Sequence, residues 1–162
     1  QAVGADAATV LRDHANGEGS SGTADLVFLL LDIDHFKQVN DTYGHAAGDA
    51  VLIQLGETLR RLFREADHVA RWGGEEFLIV ARFTDRRRAP ELAEKTRAAV
   101  EAQTFRLPDG SGIQKTCSIG FAAYPLASTL ADAPWHKAID VADAGLYRAK
   151  REGRNRCVDG AA

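Results

Sequence analysis

LVFLLLDI, Leu26 to Ile33, is the stretch that decides the fold. It is apolar without alternation from Leu26 to Leu31, as a strand is when helices cover both faces of its sheet. The run closes on Asp32, and Asp34 follows two positions later. Downstream, Leu52, Leu55, Leu59, Leu62 and Phe63 recur at spacings of three and four, so a helix from His45 to Arg64 lays one apolar stripe on that sheet. Two more strand-like runs, His68 to Trp72 and Phe77 to Phe83, flank a Gly73-Gly74-Glu75-Glu76 tip. A glycine pair accepts positive φ and predicts a tight β-hairpin there. Pro90 opens a helix faced by Leu92, Thr96 and Val100, and Lys115 to Pro125 reads as the next strand. Trp135, Ile139, Ala142, Leu146 and Ala149 mark a last helix that stops near Gly153, and Cys157 and Val158 close an edge strand. Upstream, Asp6 to His14 reads as a short helix and Ala15 to Ala24 as a flexible loop. The order predicts an α/β sandwich, with helices over a mostly antiparallel sheet.

The chain has 162 residues, 45% of them hydrophobic and 27% charged, the balance of one globular domain. Residues 1–25 are expected to form an N-terminal helix and loop, and residues 26–162 the folded domain. With 20 Lys+Arg against 23 Asp+Glu the net charge is −3, so no basic field exists to hold DNA. No apolar run approaches the ~20 residues that span a bilayer, and no signal peptide opens the sequence. Cys117 and Cys157 lack a CxxC partner, which argues against a disulfide framework or structural zinc and for a reducing, cytoplasmic setting. The five histidines include no HExxH, and neither a P-loop, a GxGxxG nor a Ser-His or Cys-His nucleophile motif is present. Beginning at Gln1 rather than Met, the sequence reads as a piece of a longer protein.

Chemistry concentrates in four places. Asp32 and Asp34 share one face of a strand end, where two carboxylates supply hard oxygen ligands for Mg²⁺; an acidic strand end facing water has the same composition. At the hairpin tip, Glu75 and Glu76 repel each other while two glycines leave the backbone open, and a divalent cation turns that repulsion into coordination. An exposed hairpin with solubilising acids is the alternative. Third, Lys37 follows the Asp pair as a candidate phosphate contact, and Asn40 and Asp49 are placed to read a base edge once the chain folds back, although helix capping and a turn at Asn40 to Gly44 also account for them. Lys150 and Arg154 lie one helical turn apart as a second phosphate clamp, or as basic residues suited to a helix C-terminus.

Taken in order, LDIDHFKQVNDTYGHAAGDAVL (Leu31 to Leu52), RWGGEEF (Arg71 to Phe77), SIGFAAYP (Ser118 to Pro125) and ADAGLYRAKREGRNR (Ala142 to Arg156) closely resemble the GGDEF family of diguanylate cyclases, the signature turn appearing as GGEEF. The resemblance runs from Leu26 to the C-terminus. It implies a central five-stranded, mostly antiparallel sheet with helices on both sides, similar to the nucleotidyl-cyclase and polymerase palm. It further implies a domain that joins two GTP into cyclic di-GMP and releases two pyrophosphates, two domains facing each other as a homodimer. By resemblance, Asp32, the Ile33 carbonyl and Glu75 hold Mg²⁺ or Mn²⁺, and Glu76 belongs to the same catalytic acidic site. Lys37, Lys150 and Arg154, with the backbone around His35 and Phe36, match phosphate contacts. Asn40 and Asp49 match guanine readers. Arg64 and Asp67 form an RxxD five residues before Gly73, the family position of an inhibitory product site, to which Lys95 adds a charge in place of the usual Arg. The family's usual DxLTGLxNRR-like segment ahead of the first strand is replaced here by QAVGADAATVLRDH. Gly145 stands where the family commonly has Ala, a local cost in helix stability. A sensory or regulatory domain preceding this piece is expected. A receptor that binds cyclic di-GMP without making it is the competing expectation, and the retained acids Asp32, Glu75 and Glu76 favour the enzyme.

Overall fold

A computed structural model describes residues 25–126 and 133–162 of the protein, so the readings of Asp6 to His14 and Ala15 to Ala24 lie outside the described residues. In chain order the elements are β1 (Leu26–Ile33), α1 (Phe36–Tyr43), α2 (His45–Leu62), β2 (His68–Arg71), β3 (Glu76–Ala81), α3 (Ala89–Ala102), β4 (Thr104–Arg106), β5 (Gly112–Gln114), β6 (Cys117–Tyr124), α4 (His136–Arg151) and β7 (Cys157–Asp159). β1 is buried along its whole length and lies in the middle of a five-stranded sheet of order β2-β3-β1-β6-β7. Its pairings with β3 and β6 are antiparallel, as is β2 with β3, while β7 runs parallel to β6.

The alternation of a strand divides β1 between two cores. Val27, Leu29, Leu31 and Ile33 pack with Phe36, Val39, Val51, Leu55, Leu59, Ala93 and Val100 from α1, α2 and α3. Leu26, Phe28 and Leu30 pack on the other face with Ala138, Ile139, Ala142 and Leu146 of α4. Asp32 continues the second series, and the register sets it opposite Glu76 on β3 and Ser118 on β6. One row across the sheet thus carries Glu76, Asp32 and Ser118 on the face that α4 covers.

Several sequence expectations change. The strand expected from Lys115 begins at Cys117, and the segment before it forms a separate two-stranded ribbon, β4 with β5. Its turn, Pro108-Asp109-Gly110 with Gly110 at φ 86°, is a signal the sequence carried. The hairpin strands are shorter than predicted, and neither Gly73 nor Gly74 takes positive φ. Instead, Trp72 N–H donates to the Glu76 carbonyl at 2.8 Å, and Arg71 donates to the Gly74 carbonyl at 2.6 and 3.0 Å, which ties the wider tip together. Gly145 is no mere cost: a Cβ there would stand 2.6 Å from the Val158 carbonyl, so the glycine lets α4 lie against β7. Gly120 does the same beneath α4, where a Cβ would stand 1.9 Å from the Ala142 carbonyl.

Candidate active site

Asp32 and Asp34 were expected to act as one pair, and the chain separates them. Asp34, 4% exposed, lies past the end of β1 and accepts from Thr116 Oγ1 at 2.6 Å, Ser118 Oγ at 2.6 Å and the Asn155 backbone N–H at 3.0 Å. Its oxygens are committed to holding β6 and the segment after α4 against β1. Asp32, 3% exposed, receives Lys150 Nζ on Oδ2, while its Oδ1 is buried with no hydrogen-bond partner. An unpaired buried carboxylate oxygen is costly unless something electropositive reaches it.

Glu75 and Glu76 adjoin this oxygen's carboxylate. Burial raises the Glu75 pKa above its ordinary 4.5, and the charge and hydrogen bonding of Asp32 raise it further, against the opposing pull of Lys150. Burial also raises Glu76, with the Asp32 charge second. Crowded acids resist ionisation together, and a bound cation inverts that preference. Among the described residues no three His, Cys, Asp or Glu side chains form a ready cage. The donor set implied by the resemblance has only two such side chains, Asp32 and Glu75, completed by the Ile33 carbonyl. A Cβ on Gly74 would meet nothing within 4 Å, so the tip offers bare backbone to the outside.

The chain reversal at Gly44, φ 91°, folds α1 back on α2 and sets Asn40 against Gly48, the neighbour of Asp49 in the chain. Asn40 presses so close to Gly48 that a Cβ there would stand 1.9 Å from Asn40 Oδ1, and this oxygen is buried without a partner. Asp49 next door is exposed. His35 precedes α1 in the left-handed region at φ 55°, and Phe36 buries its ring in the core. Lys37 is almost fully exposed and pairs with Asp41 at 3.8 Å. Lys150 and Arg154 do not share a helical face as expected. α4 ends at Arg151, and Arg154 stands in a left-handed turn at φ 64°, its N–H donating to the Ala149 carbonyl at 2.9 Å.

Arg64 and Asp67 lie between α2 and β2, distant in the topology from the Glu75 tip. They are not a solvent-facing ion pair: the Arg64 side chain is 58% exposed, but that of Asp67 only 3%. The Asp67 carboxylate accepts from the Arg64 N–H at 2.9 Å, the Arg64 guanidinium at 3.1 and 3.3 Å, and the Arg82 N–H at 3.0 Å. The Arg64 fork also reaches the Arg82 carbonyl and Thr84 Oγ1. Both residues line a groove of about 310 Å³ with Arg60 and His68, and a second of about 160 Å³ to which Arg88 and Lys95 contribute. Sequence reasoning missed Arg71, which shapes the acidic tip, and Arg97 and Asn155, which join α3 to the turn bearing Arg154. No motif spacing marks them, because each acts across the fold.

A palm-like sheet with acids at the meeting of β1 and a β-hairpin, and Lys150 reaching them from the end of α4, is the frame of a nucleotidyl-cyclase-like domain. Residues 10–156 match the family model "Diguanylate cyclase, GGDEF domain", and the chain belongs to this family. It is 41% identical over 147 residues to diguanylate cyclase DgcP of Pseudomonas aeruginosa, which covers 91% of this chain and 20% of that protein. It is 40% identical over 150 residues to diguanylate cyclase A of Treponema denticola, covering 91% of this chain and 39% of the relative. The chain therefore spans well under half the length of these relatives. Among solved structures, the GGDEF domain of DgcB from Caulobacter crescentus in complex with c-di-GMP superposes with a TM-score of 0.84 at 30% identity, covering 99% of this chain and 91% of that one. No helix among the described residues is long and apolar enough to cross a membrane.

Proposed function

We propose that this domain is a diguanylate cyclase that condenses two GTP into cyclic di-GMP. The carrying observation is the buried, unpartnered Oδ1 of Asp32 beside the raised carboxyls of Glu75 and Glu76. An acceptor with no donor, in a nest of acids, fits a divalent cation better than it fits a structural role. Asp32, the Ile33 carbonyl and Glu75 would hold Mg²⁺ or Mn²⁺, with Glu76 in the same acidic group. When bound, such an ion neutralises triphosphate charge and lowers the pKa of an attacking hydroxyl.

The chain's own residues do the rest. Lys37, Lys150 and Arg154 bind phosphate oxygens, and the left-handed turn at His35 offers backbone N–H groups beside Phe36. Asn40 and Asp49 read guanine: the Asp49 carboxylate accepts from N1–H and the N2 amine, which adenine cannot supply. Each domain holds one GTP, so two domains face each other. Each 3′-oxygen attacks the α-phosphorus of the other nucleotide, and pyrophosphate leaves from both. The cyclic product then binds at Arg64, Asp67 and Lys95, where Arg64 is the exposed partner able to turn its planar fork toward phosphate or guanine. A regulatory domain elsewhere in the full protein controls the encounter of two copies.

Incubation with GTP and Mg²⁺, followed by chromatography for cyclic di-GMP, tests the reading. Product whose specific activity rises with protein concentration supports it. Intact GTP alongside tight binding of added cyclic di-GMP would make the domain a receptor instead.

A further inference from the structure

Arg154 stands in an unusual backbone segment. Gly153, Arg154 and Asn155 take φ of 120°, 64° and 46° in succession, a region that side chains larger than glycine avoid. Such strain persists only where the surroundings impose it. Asn155 is where they do so. Its backbone N–H donates to Asp34 Oδ2 at 3.0 Å, its Oδ1 accepts from Arg97 Nη1 at 2.7 Å, and its Nδ2 donates to Glu101 Oε2. Arg97 is itself fixed, 14% exposed, by Glu94 at 2.6 Å and Glu101 at 3.1 Å along α3. Asp34 is fixed by Thr116 and Ser118. Two separate layers of the domain, the β1–β6 strand ends and helix α3, thus close on one asparagine.

We infer that Asn155, held by Arg97 and Glu101 from α3 and by Asp34 from the end of β1, is a positioning residue that presents Arg154 to the phosphates of GTP. The inference rests on the cyclase reading proposed above. Asn155 touches no substrate; it fixes the left-handed turn that turns the Arg154 backbone out of the path of α4. Asparagine suits the position because it tolerates the left-handed region and supplies both an acceptor for Arg97 and a donor for Glu101.

The test uses Asn155→Gly. Glycine adopts positive φ freely and keeps the backbone bond to Asp34, so only the two side-chain links are lost. Calorimetric titration of GTP without divalent cation, to prevent turnover, is run on wild type, Asn155→Gly, Arg154→Ala and the double variant, with thermal melts of each. Asn155→Gly is expected to bind GTP about tenfold more weakly, the scale of one charge-assisted contact. With Mg²⁺ the loss should appear mainly in KM. The double variant should bind no more weakly than Arg154→Ala alone, since the asparagine acts through the arginine. Additive losses in the double variant, or wild-type affinity in Asn155→Gly, would overturn the inference while leaving the cyclase reading intact. Failure of the wild type to bind GTP either without divalent cation or with Mg²⁺ present would overturn both.

Discussion

Asp32 and Asp34 are the same residue type, two positions apart at the end of one strand, and equally buried at 3% and 4% exposure. Their surroundings are opposite. Asp34 collects two hydroxyls and a backbone N–H from two other segments, so its charge is spent on holding the sheet's end together. Asp32 has one cation on one oxygen and nothing on the other, and it crowds two glutamates whose ionisation it opposes. Burial therefore does not distinguish these two carboxylates. The satisfaction of each oxygen does.

The sharpest way to test this contrast is Asp32→Asn. It removes one charge from the acidic group while keeping size and the neighbours' packing, and cyclase turnover should fall about a thousandfold or more with the melting temperature within a few degrees of wild type. Near-normal turnover at saturating Mg²⁺ would erase the distinction between the two aspartates. Asp34→Ala should do the reverse. Three donors lose their acceptor, two of them hydroxyls at 2.6 Å, and unfolding in urea should show a loss of about 2–4 kcal/mol. A stable Asp34→Ala protein that has lost only turnover would move Asp34 into the reactive group.

Lys150→Met sharpens the contrast by stripping Asp32 of its cationic partner. Since Lys150 is partly exposed, the expected loss of stability is about 1–2 kcal/mol, and added Mg²⁺ should recover part of it by supplying a replacement charge. Stability unaffected by Mg²⁺ in this variant would count against a cation site at Asp32. The smallest effect is on pH dependence. Glu75 and Glu76 bind protons more tightly folded than unfolded, so the native state holds more protons above pH 4.5, and stability contributed by these groups declines as pH rises from there through their raised pKa values. Melts from pH 4 to 7 in chelator should show a slope that Glu75→Gln flattens. An unchanged slope in that variant would mean that the crowding is not felt in solution.

Much of this was readable in advance where the signal is local. The unbroken apolar run of β1, the three-and-four spacing of α2 and the stripe of α4 each depend on which residues meet solvent, and periodicity reports that directly. The ribbon of β4 and β5 was missed because strands of three residues carry too little pattern, although Pro108-Asp109-Gly110 announced its turn. The Gly73-Gly74 tip was read as a positive-φ turn, yet neither glycine needs that conformation, because Arg71 closes the tip through the Gly74 carbonyl.

Propensity misled at Gly145 in the same way. A helix by itself prefers alanine, and only the approach of the Val158 carbonyl explains the glycine.

What the sequence determined by itself was the family, the sheet-and-helix order and the residue types of the acidic and basic groups, since motif and periodicity are properties of neighbours along the chain. Which aspartate keeps a free oxygen was decided by tertiary structure alone. So were the partners of Asn155. These depend on atoms brought together from segments far apart in the chain, 121 residues between Asn155 and Asp34 and 58 between Arg97 and Asn155. A hydrogen bond is satisfied or left open by the position of its partner in space, and no spacing along the chain encodes that position.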